Sequence, residues 1–427
     1  MKLKDARRLL VAIALASVFP VAALETVKPE KLGFSSQRLQ RLQLAMNEKI
    51  NNKEVAGAVT LLARHGKVVQ FNSYGYQDIA SATAMKQDAI FRIYSMTKPL
   101  ISVAMMLLYE EGKWLPGDPI AKYIPEFKDL KVYAGEDKNG KPILQAPHHA
   151  PTVNELLTHT AGFTSGFAGS PVDKMYNNAR IWEAGSFKEY ISTLASFPLA
   201  HQPGEAWEYS VAADIQGYLI ERLAGMPLAQ FLEERIFKPL EMKDTGFFVP
   251  EQKLARLATL YQPDGSSPLA PMPRDPKVAT MPAMPSGGGG LYSTAEDYFH
   301  FAQMLLNEGE FNGVHLLSPA SVKLMRSNHL PETLQTGKWG VGPYRMQPGF
   351  GYGYNLGVIE DPLSINSTLG TGSYFWVGIA GTWFWVDPSN DLLFIGMVQR
   401  WVLAPGMPNL EDMSRALVYQ ALVQPKK

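Results

Sequence analysis

The chain has 427 residues, 46% apolar and 19% charged, an ordinary globular balance with length enough for a large core. Lys plus Arg and Asp plus Glu number 40 each, so no global charge draws it to nucleic acid or an anionic membrane, and no basic run supplies a local one. There is no cysteine, which removes disulfides, thiolate metal sites and cysteine nucleophiles together, and the 8 histidines form no H-E-x-x-H pair, so no metal and no other cofactor is expected.

In chain order, Lys2, Lys4, Arg7 and Arg8 precede an apolar run, Leu9 to Phe19, and the small residues Val21, Ala22 and Ala23. That pattern predicts a signal peptide over 1–23 and an exported protein, periplasmic or secreted. The run is too short to span a bilayer and no later stretch comes near that length, so the mature chain is expected to carry no integral membrane segment. Ser36 to Lys49 places apolar residues at helical spacing. Val55 to Leu62 and Val68 to Tyr74 read as a hairpin turning at His65-Gly66. Ala89 to Tyr94 is strand-like, and Ser95 to Trp114 is a helix almost covered by apolar groups, hence central, with Gly112 and Pro116 ending it.

From Pro116 to Pro282 turns and helical patterns dominate, notably Val211 to Leu223 and Leu228 to Phe237, with a Pro-rich connector from Tyr261 to Pro285. Ser293-Thr294-Ala295-Glu296 reads as a capping box opening a helix through Leu306. Phe375 to Ala380, Thr382 to Val386 and Leu392 to Val398 read as strands, and Leu410 to Val423 as a last helix. Strands at both ends and helices between them predict an α/β (α+β) domain built from 24–115 and 283–427, with a helical domain, 116–282, inserted in it.

Three short runs carry chemistry. In Ser95-Met96-Thr97-Lys98, residues i and i+3 share a helix face, so the hydroxyl and the amine point the same way. Serine is a poor nucleophile without an adjacent base. Bringing an ordinary lysine to neutrality at pH 7 costs about 4–5 kcal/mol, and burial and a helix N-terminus both reduce that cost. Tyr209-Ser210-Val211, just before a long helical pattern, offers a phenol able to share proton transfer, although a core tyrosine with a satisfied hydroxyl fits the same run. In Trp376-Val377-Gly378-Ile379, Gly378 would let a substrate backbone approach, and the N–H of Ile379 could join that of Ser95 as an oxyanion donor. An ordinary core strand is the plainer interpretation of that run.

F-R-I-Y-S-M-T-K, the run Leu156 to Phe163, P-G-E-A-W-E-Y-S, Ile236 to Leu240 and G-G-G-L-Y-S-T-A-E-D together resemble the serine β-lactamase-like superfamily, class C type, and most closely its family VIII carboxylesterases. The resemblance runs from about Leu32 to Val423. It implies an antiparallel sheet flanked by helices, an inserted all-helical domain, and a site between them. It puts the family's nucleophile on Ser95, its lysine on Lys98 and its tyrosine on Tyr209, with backbone donors at Ser95 and Ile379. Two positions depart from the β-lactamases. Val211 stands where they carry asparagine, and Trp376-Val377-Gly378 where they carry Lys-Thr-Gly; Thr371-Gly372-Ser373 is a rival alignment for the latter. Both changes remove polar groups suited to a β-lactam, which favours a small-molecule ester, with Trp376, Gly378 and Val211 as substrate-binding candidates. His159 is expected to be structural, since the chain has no G-x-S-x-G elbow. The expectation is a serine carboxylesterase for short-chain or small uncharged esters. The alternatives are a β-lactamase or D-amino-acid peptidase of the same fold and a catalytically silent binding protein.

Overall fold

The computed structural model describes residues 24–401 and 408–424; the expected signal segment, 1–23, lies outside the described residues. The two chain ends meet in the middle of one sheet. Gly57–Arg64 pairs with Leu392–Met397, Leu61 opposite Ile395, and on its other side with Lys67–Asp78, Leu61 opposite Phe71. The eight-stranded sheet continues outward from Leu392–Met397 through Trp383–Asp387, Tyr374–Val377 and Gly357–Ile359 to Phe350–Tyr352; Thr83–Ala84 forms the opposite edge. Each pairing is antiparallel.

Helices cover both faces. Successive strand residues point to opposite sides. Trp383 donates from its indole to Ser414 and Trp385 stacks on Tyr419, both on the helix Leu410–Tyr419. Phe384, between them, packs against Tyr298 of the helix Ala295–Leu306. The two central strands are therefore buried along their whole length and read as continuous apolar runs. The helix Thr97–Glu110 is the central one expected, with every residue from Thr97 to Leu108 buried.

Several expectations shift in detail. Phe350–Tyr352 and Gly357–Ile359 are strands inside a region that gave no strand signal. The helix at Ala295 is capped by Thr294, whose hydroxyl accepts from the Asp297 N–H at 3.1 Å, and not by Ser293. Ser293 is held in a short ribbon opposite Phe91, and its hydroxyl meets that of Thr245 at 2.8 Å. The middle segment is mainly helical, with Ala212–Ala224 at its centre and Leu228–Leu232 running into a π-turn, Glu233–Phe237. It also carries the ribbon Val132–Glu136 with Pro142–Gln145. Near the end of this segment Ala258 donates to Ile90, Thr259 to Gln77 and Tyr261 to Gln399. Among the described residues, no helix is long and apolar enough to cross a membrane.

Candidate active site

Ser95 sits on a sharp turn between the Phe91–Arg92 ribbon and the central helix. Tyr94, just before it, has φ 42°, a left-handed conformation uncommon for a residue with a side chain. Two contacts hold it there: the Arg92 guanidinium lies 4.4 Å over its ring and Trp401 meets it edge-on at 5.7 Å. A 3-10 turn, Tyr94–Met96, then leads into the α-helix Thr97–Glu110. Pro99 falls in the first turn of that helix, where the N–H it lacks would have had no intrahelical partner.

Lys98 Nζ lies 3.3 Å from Ser95 Oγ and donates to the Gly288 carbonyl at 2.6 Å. The Tyr209 hydroxyl donates to Ser95 Oγ at 2.7 Å, and Lys98 Nζ sits 4.5 Å over the Tyr209 ring. Ser95, Lys98 and Tyr209, separated by 114 residues of chain at the widest, thus form one contiguous group.

Tyr209 is held by the backbone on both sides of it. Glu208 N–H donates to the His159 carbonyl, Ser210 N–H to His159 Nδ1 and Val211 N–H to the Thr164 carbonyl. As an acceptor at Nδ1, His159 carries its proton on Nε2. Burial holds its pKa well below the ordinary imidazole range. Its ring packs on Tyr209 at 5.0 Å, and its hydrogen bonds go to Ser210. It therefore supports the tyrosine.

The N–H groups of Ser95 and Ile379 donate to no acceptor among the described residues. Ile379 follows the strand Tyr374–Val377 in a tight turn closed by Gly378 N–H to the Thr382 carbonyl, 2.7 Å. Gly378 is needed for a reason other than the expected one. A Cβ there would lie 2.4 Å from the Ile93 carbonyl oxygen and 2.3 Å from Thr382 Oγ1, so the glycine admits the protein's own backbone beside the serine turn, not a substrate's. Trp376 and Val211, also expected to touch substrate, are only 1% and 3% exposed. Trp376 packs behind Tyr209 at 5.7 Å, so it shapes the site from the rear. The rival run Thr371-Gly372 lies in the turn before this strand.

Three participants escaped the sequence: the Gly288 carbonyl, Asp214, which binds the Gly288 N–H at 2.9 Å, and Asn355, whose amide reaches Ser102, Gln216 and the Lys98 carbonyl. The run of glycines from 287 to 290 was the one available signal. An Asp in the first turn of a helix is what helix capping alone predicts, and Asn355 stands far from any motif.

The Beta-lactamase family profile matches residues 42–415. The chain belongs to the Beta-lactamase family. Within it, Protein Rv1367c of Mycobacterium tuberculosis is 37% identical over 362 residues, 84% of this chain and 89% of that protein. Esterase EstB of Burkholderia gladioli is 29% identical over 378 residues, 82% of this chain and 88% of the esterase. Among solved structures, EstCE1, described as a hydrolase with promiscuous acyltransferase activity, aligns with a TM-score of 0.74 at 27% identity, covering 90% of this chain and 99% of its own. This Beta-lactamase-family chain is thus a β-lactamase-fold hydrolase with esterases among its relatives.

Proposed function

We propose that the chain is a serine carboxylesterase that cleaves small uncharged esters through an acyl-enzyme on Ser95. The observation that carries the proposal is the placement of Ser95 Oγ between Lys98 Nζ, 3.3 Å away, and the Tyr209 hydroxyl, 2.7 Å away. Lys98, as the free amine, takes the Ser95 proton while Oγ bonds to the ester carbonyl carbon. The N–H groups of Ser95 and Ile379, which have no protein acceptor among the described residues, hold the oxyanion. On collapse the bond to the alcohol oxygen breaks, Tyr209 protonates the leaving alcohol and Lys98 restores the Tyr209 proton. Water then attacks the acyl-enzyme by the reverse relay and releases the acid. The similarity to Esterase EstB supports an ester as substrate.

A fluorophosphonate probe should label Ser95, and Ser95→Ala should abolish labelling. Hydrolysis of short p-nitrophenyl esters should exceed nitrocefin turnover by several orders of magnitude. Labelling that survives Ser95→Ala would refute the nucleophile, and strong nitrocefin turnover without ester hydrolysis would refute the substrate class.

A further inference from the structure

Asp214 is a buried carboxylate that has no ion-pair partner among the described residues. A buried polar group is costly unless it is hydrogen-bonded, and one that is hydrogen-bonded rigidifies the structure around it. It stands in the first turn of the helix Ala212–Ala224, five residues after Tyr209. Its Oδ1 accepts from the Ser286 hydroxyl at 2.6 Å and from the Gly288 N–H at 2.9 Å. The far side of Gly288, its carbonyl, is the acceptor for Lys98 Nζ at 2.6 Å.

The loop has almost no other place to go. A Cβ on Gly288 would lie 2.6 Å from Asp214 Oδ2, and one on Gly287 would lie 2.3 Å from the Ala213 carbonyl oxygen, so 287–288 is pressed onto the start of the Asp214 helix. Three residues on from Gly288, the Leu291 N–H donates to Thr97 Oγ1 and its carbonyl accepts from the Ile93 N–H, fastening the loop to both sides of Ser95. The loop therefore joins the helix carrying Lys98 to the helix that follows Tyr209, and Asp214 is its fixed point.

A free amine has two N–H bonds and one lone pair. When one N–H is committed to Gly288, rotation about the last side-chain bond is restricted and the lone pair can be directed at the Ser95 hydroxyl. We infer that Asp214 is a positioning residue for Lys98: by fixing the Gly288 carbonyl it orients the amine for proton transfer with Ser95. This rests on the esterase reading above. It adds a residue that touches neither substrate nor nucleophile and that acts through one carbonyl.

Two measurements on the full chain test it: the rate constant of Ser95 labelling by a fluorophosphonate, and kcat and KM for p-nitrophenyl butyrate, normalised to titrated active sites. Asp214→Ala should lower kcat and the labelling rate about 100-fold with KM within 3-fold, whereas Asp214→Asn, which keeps an acceptor oxygen for both bonds, should recover to within about 5-fold of wild type. Ser286→Ala, which removes one bond and leaves the carboxylate in place, should give a smaller loss, about 3–10-fold in kcat. In a Lys98→Ala background, Asp214→Ala should cost no more than 2-fold further. If wild type is not labelled at all, the esterase reading fails. If wild type is labelled and Asp214→Ala labels within 3-fold of it, or the asparagine variant is as impaired as the alanine one, the positioning role is overturned. Should Asp214→Ala fail to fold, the asparagine and Ser286→Ala variants decide by the same limits.

Discussion

Tyr209 makes three separable contributions to the site. Its hydroxyl donates to Ser95 at 2.7 Å, its ring face lies 4.5 Å under Lys98 Nζ, and its ring packs against His159 and Trp376. Phenylalanine keeps the last two and deletes the first, so Tyr209→Phe isolates proton transfer. Loss of a positioned general acid or base typically costs 10²–10⁴ in rate, so kcat should fall by roughly 10²–10⁴ with KM and melting temperature little changed. Steady-state kinetics alongside a thermal melt would check this. A variant retaining a tenth or more of wild-type kcat would leave the phenol a packing group. His159 bears on the same residue from behind. Burial lowers the pKa of its imidazole well below the ordinary range, which favours the neutral ring.

At the level of elements, the junction that matters is the end of the strand Tyr374–Val377 against the turn at Ile93–Ser95. Thr382 Oγ1 donates to the Ile93 carbonyl at 3.3 Å across it, and Gly378 fills the remaining gap with no side chain. Gly378→Ala must push the strand end and the serine turn apart. Overpacking of this kind costs about 1–3 kcal/mol, which urea unfolding would measure. It also moves the Ile379 N–H from the Ser95 N–H, so kcat should drop at least tenfold. Unchanged stability and unchanged turnover together would show that the junction yields. This junction also marks what the sequence could reveal. The strands Trp383–Asp387 and Leu392–Met397 and the helix Ala212–Ala224 were legible because apolar runs and helical periodicity are local signals. The strands Phe350–Tyr352 and Gly357–Ile359 were not, since three residues are too few to show alternation. Ser95, Lys98 and Tyr209 lie in recognisable runs. The bonds from Asp214 to Ser286 and Gly288 join residues 72 and 74 positions apart, and no periodicity encodes such a pairing. Gly378 was marked as a close-approach position, but what approaches it is a tertiary fact.

For the whole molecule, stability depends on how the helix Ala295–Leu306 is anchored to the segment around Asp244. Asp297, in its first turn, accepts through Oδ2 from the Asp244 N–H at 2.7 Å and from Thr245 Oγ1 at 2.8 Å. Burial is the largest influence on it, and its pKa is pushed up from 3.8 to about 7. Between those two pH values the folded chain holds a proton that the unfolded chain has released. Stability from this group is thus complete below about pH 4, declines as pH rises towards 7, and is absent above it. The gap corresponds to roughly 4 kcal/mol as an upper bound. Other buried groups act in the opposite sense: burial lowers the pKa of His300 and of His329, which favours unfolding as pH falls. Asp244, held low by Arg256 and Lys253 despite its burial, loses its contribution only in stronger acid. The wild-type profile is a sum of these, so the informative quantity is the difference between wild type and Asp297→Asn. Asparagine keeps an acceptor for both bonds and cannot ionise. The melting temperature of the variant should exceed that of wild type by several degrees at pH 8 and by clearly less at pH 5, by calorimetry. If Asp297→Asn is destabilised equally at both pH values, the carboxylate is serving as an ionised anchor, and the helix start is held by charge and not by hydrogen bonds to a neutral acid.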